Sequence, residues 1–350
     1  MSNLTVSQIT GNPTVSGNFS VNGNTTISNV LSVPGTLTAN VLTVSGALTA
    51  SAIVPSSSFL RNRLINGDME IAQRGSSGTS GFVLDRWFGV NTSAQSQSSD
   101  APPGFINSLE FTSSSATFPF VLQRIERFNS YDLAGQTVTV SFWAKNVSGS
   151  SNIYAEIYRA NSNDNFSNLT LEGILNISAS PSSSWTYYTA SIALSASATT
   201  GIELRIIRNN LSATSTRITG VQIEVGSVAT PFERRHFGQE LMLCQRYYSK
   251  TYSYGVAPGN VSDIGRITVD VNGRLSTTNR YTITYPYMRA SPTITVYNPG
   301  TGGSGTVRGD NSTNYSAGIY VAGDTAALID FVPVSPTTAV FFHFTASAEF

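Results

Sequence analysis

The chain has 350 residues, 20 basic ones balancing 20 acidic ones, and only 11% of its residues are charged. That length holds two or three domains with ample core for each, and the even charge lacks the basic excess of a nucleic-acid binder. One cysteine, Cys244, rules out an intrachain disulfide, no apolar run nears the ~20 residues of a membrane helix, and no N-terminal signal-peptide pattern is present.

Residues 2–60 contain no Asp, Glu, Lys or Arg. Inside them LSVPGTLTA (31–39) is followed by LTVSGALTA (42–50), and FSVNGNTTI (19–27) is a looser earlier copy. Each copy is apolar at its first and third positions, which point to one face of a strand. Each has glycine at its fifth, which supplies a turn or bulge. One copy is too thin to bury its own apolar face, so such repeats gain stability by stacking on neighbours or on other chains. The alternative is a Ser/Thr/Gly linker.

Residues 61–236 read as an all-β domain. The segments FVLDRWF (82–88), VTVSFWAK (138–145), IYAEIY (153–158), WTYYTASI (185–192) and IELRII (202–207) are short, strand-like and separated by Ser/Gly/Asn turns. That spacing predicts a sandwich or jelly roll. In the second segment Val138, Val140, Phe142 and Ala144 share one face and Trp143 takes the other. Trp143 is therefore either exposed or packed under a further layer, whereas Trp87 and Trp185 read as core. The asparagine-rich run 161–168 reads as an exposed loop.

The stretch 217–250, RITGVQIEVGSVATPFERRHFGQELMLCQRYYSK, changes period part-way. Ile218, Val221, Ile223 and Val225 make a half-buried strand. Pro231 blocks its continuation, and Glu233, Arg234 and Arg235 form a charged elbow. Beyond Gly238, Leu241, Cys244 and Tyr248 fall on one face at helical spacing, which predicts a short helical connector over 237–250. Residues 251–350 then read as a second β unit, with YTITY (281–285), TITVY (293–297) and VFFHFT (340–345) as strands. A Gly-rich loop, NPGTGGSGTVRGD, spans 298–310.

Two of these stretches carry a resemblance. VQIEVGSVATPFERR followed by LMLCQRYYSK resembles a segment of virion proteins of tailed bacteriophages, in particular tail fibres. RNRLINGDMEIAQRG (61–75) is similar to the opening segment of the same proteins. Together they bracket a jelly-roll module that resembles carbohydrate-binding modules, and VSFWAK and SWTYYTASIAL look like strands of that module. The resemblance covers roughly residues 60–250. It implies a homotrimeric fibre, made in the host cytoplasm and carried on the virion. Residues 1–60 would be a repetitive attachment and trimerisation shaft, joined to another tail or baseplate protein. Residues 61–236 would be the jelly roll, 237–250 the connector and 251–350 the distal β tip. The partner expected is a host surface polysaccharide bound through the distal unit, 251–350, with the jelly roll as the competing placement, and with no nucleic acid and no membrane insertion. Two rivals stay open: a polysaccharide depolymerase tailspike, and a structural decoration or adaptor protein without a glycan site.

Aromatic rings carry the binding expectation, because their faces stack on sugar rings while nearby polar groups bond the hydroxyls. Tyrosines concentrate in the distal unit, and Tyr297, Tyr315 and Tyr320 are nominated there with Trp143 in the jelly roll. Tyr315 and Tyr320 are read as flanking a loop. The expectation is binding rather than catalysis. Two histidines and one cysteine make a His/Cys zinc site untenable, no GxSxG elbow occurs, and no carboxylate pair stands out. Asp68 and Glu70 are the candidates for a structural calcium, which the resemblance to carbohydrate-binding modules suggests, although calcium takes six to eight oxygens. RGD at 308–310 reads as a chance tripeptide in a glycine-rich loop.

Overall fold

The computed structural model describes residues 60–113, 117–149, 151–179, 181–210, 214–271 and 276–350. The repeats at 19–50, and with them the expected shaft, lie outside the described residues. What is described is almost entirely β.

The first half builds two sheets from β1 (Ser77–Gly78), β2 (Gly81–Phe82), β3 (Phe88–Val90), β4 (Thr92–Ser98), β5 (Ser108–Ser113), β6 (Phe120–Ile125), β7 (Thr137–Asn146), β8 (Asn152–Ser162), β9 (Asn165–Ala179), β10 (Thr186–Ala193), β11 (Ile202–Asn209) and β12 (Ser215–Val225). Sheet A runs β1-β4-β5-β12-β7-β10, and sheet B runs β2-β3-β6-β11-β8-β9. Apart from the β8–β9 hairpin within sheet B, strands β5 to β12 alternate between the sheets and close two four-stranded halves, β5-β12-β7-β10 and β6-β11-β8-β9. That connectivity is a jelly roll. The alternation in β7 holds as expected: Val138, Val140, Phe142 and Ala144 are fully buried between the sheets, beside Ile157, Leu204 and Ile206 from sheet B.

Several sequence expectations shift in detail. FVLDRWF is two strand ends around a tight turn, with Arg86 at φ 71°. The run 161–168 is a hairpin tip between β8 and β9, turned at Asp164 with φ 53°. In β12 the apolar residues Ile218, Val221 and Ile223 are not evenly spaced. A β-bulge between Thr219 and Gln222, with Gly220 at φ 62°, restores all three to the core while Val225 stays exposed.

The two motifs that flank the jelly roll meet in space. The Arg63 amide donates to the Ile223 carbonyl at 3.0 Å and the Val221 amide to the Gly67 carbonyl at 2.9 Å, so residues 63–67 run beside β12. A Cβ on Gly67 would stand 2.3 Å from the Val221 carbonyl oxygen, which is why this position is glycine. Asn66 binds the turn together: its amide nitrogen donates to the carbonyls of Ile71 and Asp85, both at 2.9 Å. From the elbow, Glu233 accepts the Asn62 amide at 2.6 Å and Arg235 donates to the Leu64 carbonyl at 3.0 Å.

After the elbow comes helix α1 (Phe237–Gln245), which stops five residues before the end of the connector expected over 237–250. Its buried residues are Glu240 and Cys244. Leu241 is only half-buried, and Tyr248 is buried but belongs to strand β13 (Tyr248–Lys250), so the expected three-residue helical face is corrected. The helix stops one turn early because the Tyr247 amide turns back to the Cys244 carbonyl at 2.9 Å.

The second half forms one eight-stranded sheet system with its own core. Its strands are β13, β14 (Ile267–Asp270), β15 (Asn279–Thr284), β16 (Thr293–Tyr297), β17 (Thr306–Gly309), β18 (Asn314–Ala322), β19 (Ala326–Phe331) and β20 (Ala339–Ser347). Strand β20 is its axis, pairing with β13, β14, β16 and β17. Val340, Phe342, Phe344 and Ala346 alternate along it into the core. The Gly-rich loop is shorter than expected, since residues 306–309 are strand.

The two cores belong to one compact unit rather than to beads on a linker. Their junction is ionic and buried. Glu126, just past β6, accepts Arg246 at 2.8 Å and the Tyr247 hydroxyl at 2.6 Å. Glu349 pairs with Arg86 and, at 3.2 Å, with Arg74, which also holds Asp85 at 2.8 Å. Lys250 donates to the carbonyls of Gln73, Tyr254 and Val256 at 2.6, 2.8 and 2.8 Å, and burial brings its pKa down to about 8.

Candidate functional site

Sheet B turns one face to the core and the other outward. Registers across the sheet place Phe82, Phe88, Leu122, Arg205, Glu156 and Ile174 in one transverse row, each opposite the next, on the outward face. A second row holds Arg124, Glu203, Tyr158 and Leu171, and a third Val90, Phe120, Ile207 and Tyr154. These are the alternate residues to Ile202, Leu204 and Ile206, which enter the core. The result is a wide face with aromatic and aliphatic flanks and an ionic centre.

At that centre Glu203 is fully buried beneath two arginines, 2.7 Å from Arg124 and 2.6 Å from Arg205. One carboxylate bonding two guanidinium groups fixes both of them in place. The Arg205 guanidinium sits 4.1 Å from the Tyr158 ring centre and 5.1 Å from that of Phe120, so it is clamped between two aromatic rings. Tyr158 donates its hydroxyl to Glu156 at 2.8 Å, and burial followed by the Glu156 charge pushes its pKa up to about 12. Burial likewise raises Tyr154, so both phenols stay protonated at physiological pH. Apolar ring faces and fixed donors therefore lie side by side, which is the combination that sugar recognition uses: CH faces stack and hydroxyls bond.

The residues nominated from sequence are not brought together. Trp143 is half-buried on the outward face of the other sheet, its ring 5.4 Å from that of Tyr187. Trp185 is not core: it is half-buried, and its indole N–H donates to Asp100 at 3.1 Å. Tyr315 and Tyr320 lie in a single strand, β18, and flank no loop. Tyr315 is a core residue, 2% exposed, with its hydroxyl beside Ser335 at 2.9 Å, so it has no free face for a sugar. Tyr297 is half-buried and edge-on to Tyr252 at 6.0 Å. Tyr320 is 58% exposed, with the Arg280 guanidinium 3.8 Å from its ring centre. Phe120, Tyr154, Tyr158 and Arg205 were missed because each looks like ordinary strand composition. The signal present in sequence was charged residues alternating with apolar ones in IYAEIY and IELRII.

Other motifs settle into structural roles. In RGD, the Asp310 carboxylate is engaged by the hydroxyls of Thr337 and Thr338, which draw its pKa down to about 2. His343 is buried, stacked on Tyr252 at 3.8 Å, and bonded to Thr251 at 3.0 Å and the Ser262 carbonyl at 2.9 Å. Among the described residues no group of three or more His, Cys, Asp or Glu side chains gathers as a metal would require. Asp68 is buried with its Oδ1 atom unbonded, and burial, then the charges of Glu70 and Glu240, push its pKa up to about 6. Two side chains fall short of the oxygens calcium takes, so Asp68 and Glu70 alone do not fit that ion.

No family model matches this chain, and no curated protein matches it. Among solved structures, the CBM22-1 xylan-binding domain of Paenibacillus barcinonensis Xyn10C aligns over 48% of this chain and 96% of its own, at 12% identity and a TM-score of 0.33. The enzymatically active domain of bacteriophage CBA120 tailspike protein 4 aligns over 47% of this chain and 21% of its own, at 13% identity and 0.34. A CBM4 structure aligns over 46% and 98%, at 16% identity and 0.32. Likeness at this level carries no argument about activity, which rests on the residues above.

Proposed function

We propose that the protein is a non-catalytic glycan-binding component of a phage virion, read as a homotrimeric tail fibre that takes a host surface polysaccharide on the outward face of sheet B. The observation that carries the reading is the arginine at the centre of that face, clamped between Tyr158 and Phe120 and anchored on the buried Glu203. A rigid guanidinium beside ring faces bonds sugar hydroxyls without losing much side-chain freedom. The fibre and trimer parts of the reading are supported by the resemblance of residues 61–75 and 217–250 and by the N-terminal repeats. In a trimer, three modest sites gain avidity through effective concentration.

The test is migration of the full chain through native gels containing xylan, β-glucan, mannan or bacterial capsular polysaccharide. Retardation of the wild type, with at least tenfold weaker retardation of Arg205→Met at unchanged circular dichroism, is the expected result. Equal retardation of both would end the assignment to this face. A second placement, in the distal unit, is favoured by the exposed Tyr320 with Arg280 across its ring, and Tyr320→Ala in the same gels reads it.

A further inference from the structure

The opposite side of the sandwich carries a second aromatic surface. On β7 and β10, Trp143 and Tyr187 stand directly opposite in register, with ring centres 5.4 Å apart and planes at 51°. Gly220 in the β12 bulge leaves the neighbouring strand bare. A Cβ there would come within 2.6 Å of the Phe105 ring and 3.3 Å of the Trp143 indole, so both rings reach across the space that glycine vacates. Phe105 in turn meets Phe232 edge-on at 5.3 Å. Four rings thus form one strip from the β10 edge across β7 and β12.

None of the four belongs to the buried core: Tyr187 is 40% exposed and the other three are half-buried. The strip also has an ordered polar border. Asp100 accepts the Lys145 ammonium at 2.5 Å and pairs with Arg217, and the Lys145 contact, which outweighs the opposing effect of burial and is joined by the Trp185 N–H, holds its carboxyl below the usual range. On β10, Thr189 is exposed beside Tyr187 on the same face. A ring face that ends in a fixed carboxylate–ammonium–guanidinium group suits a saccharide, whose apolar side stacks and whose hydroxyls bond to either sign of charge. Neither a polyanion nor a plain apolar peptide fits a border of both charges next to hydroxyl-rich strand.

We infer that the outward face of sheet A, centred on Tyr187 and Trp143, is a second saccharide-binding site, so that each jelly roll holds one glycan chain on each side. This rests on the glycan reading of sheet B but on separate residues. Two sites facing opposite ways cannot close on one short oligosaccharide, so each chain binds two short ligands and cross-links long ones.

The test is isothermal titration of the full chain with xylohexaose, cellohexaose and maltohexaose. Two ligands per chain are expected for at least one sugar. Tyr187→Ala should lower the count to one, or weaken the second event about tenfold, while Tyr187→Phe, which keeps the ring, restores two. Arg205→Met should also leave one. The inference is overturned if the wild type binds one ligand that Tyr187→Ala retains in full. If the wild type binds none of the three, the glycan reading fails and this inference with it. If binding survives Arg205→Met but is lost in Tyr187→Ala, the sheet A site stands and the sheet B assignment falls.

Discussion

Removing the Glu126 carboxylate should unfasten the two cores. Glu126 leaves the end of β6 in the jelly roll and receives both the Arg246 guanidinium, through Nε at 3.0 Å and Nη2 at 2.8 Å, and the Tyr247 hydroxyl at 2.6 Å. Its side chain is only 5% exposed. Burial opposes its ionisation, but the hydrogen bonds from Arg246 and Tyr247 outweigh that, and its pKa lies below the ordinary 4.5. In Glu126→Ala, the buried Tyr247 hydroxyl and the partly exposed Arg246 lose their acceptor. Breaking one side of a buried pair costs about 3–5 kcal/mol. At roughly 2–4 °C per kcal/mol for a body of this size, the melting temperature should fall by on the order of 10 °C. The sign with pH follows from the depressed folded pKa. The contribution is present above about 4.5 and is lost as pH falls through the lower folded value, so wild type and variant should converge in acid. Calorimetry at pH 7 and pH 3 measures both. Limited proteolysis should release the distal unit from the variant first. The double variant Glu126→Leu/Arg246→Met should melt above Glu126→Ala, because an apolar pair leaves no orphaned charge. A shift under 2 °C at pH 7, or one equally large at pH 3, would refute the view that this ion pair joins the cores.

Two further outcomes concern titrating groups. The folded pKa of His343 is lowered, chiefly by burial, so the unfolded chain takes up the proton first. Its contribution to stability should be full above pH 6.5 and decline below it, so the advantage of the wild type over His343→Gln in urea midpoint should shrink from pH 7.5 to pH 5.5, and an advantage that grows would contradict this. Asp68 runs the other way. Its folded pKa of about 6 makes the ionised form a burden at neutral pH that is absent below 3.8. Asp68→Asn should therefore gain up to about 3 kcal/mol at pH 7.5 in EDTA and nothing at pH 3.5, as read by denaturant midpoints. Millimolar calcium should reverse that order only if the carboxylate is a ligand.

Local pattern alone determined much of this protein. Alternating apolar residues fix the inward face of β7 and β20 because a strand has period two. Glycine, proline and asparagine clusters mark where strands stop, and the single cysteine leaves the fold to hydrophobic burial. The motifs at 61–75 and 217–250 pointed to a jelly roll between them, and the two motifs do meet along β12. Tertiary structure decided the rest. Tyr315, an attractive loop tyrosine by sequence, is core because β18 is continuous through it. Tyr248 left the helix because the chain turned at Tyr247 into a strand that pairs with β20. Arg205, Tyr158 and Phe120 come from β11, β8 and β6, far apart in the chain, and only cross-strand register stacks them on one face. A site made of non-local pairs has no local signature: sequence specifies which side of each strand is wet, while the order and register of the strands decide which wet residues become neighbours.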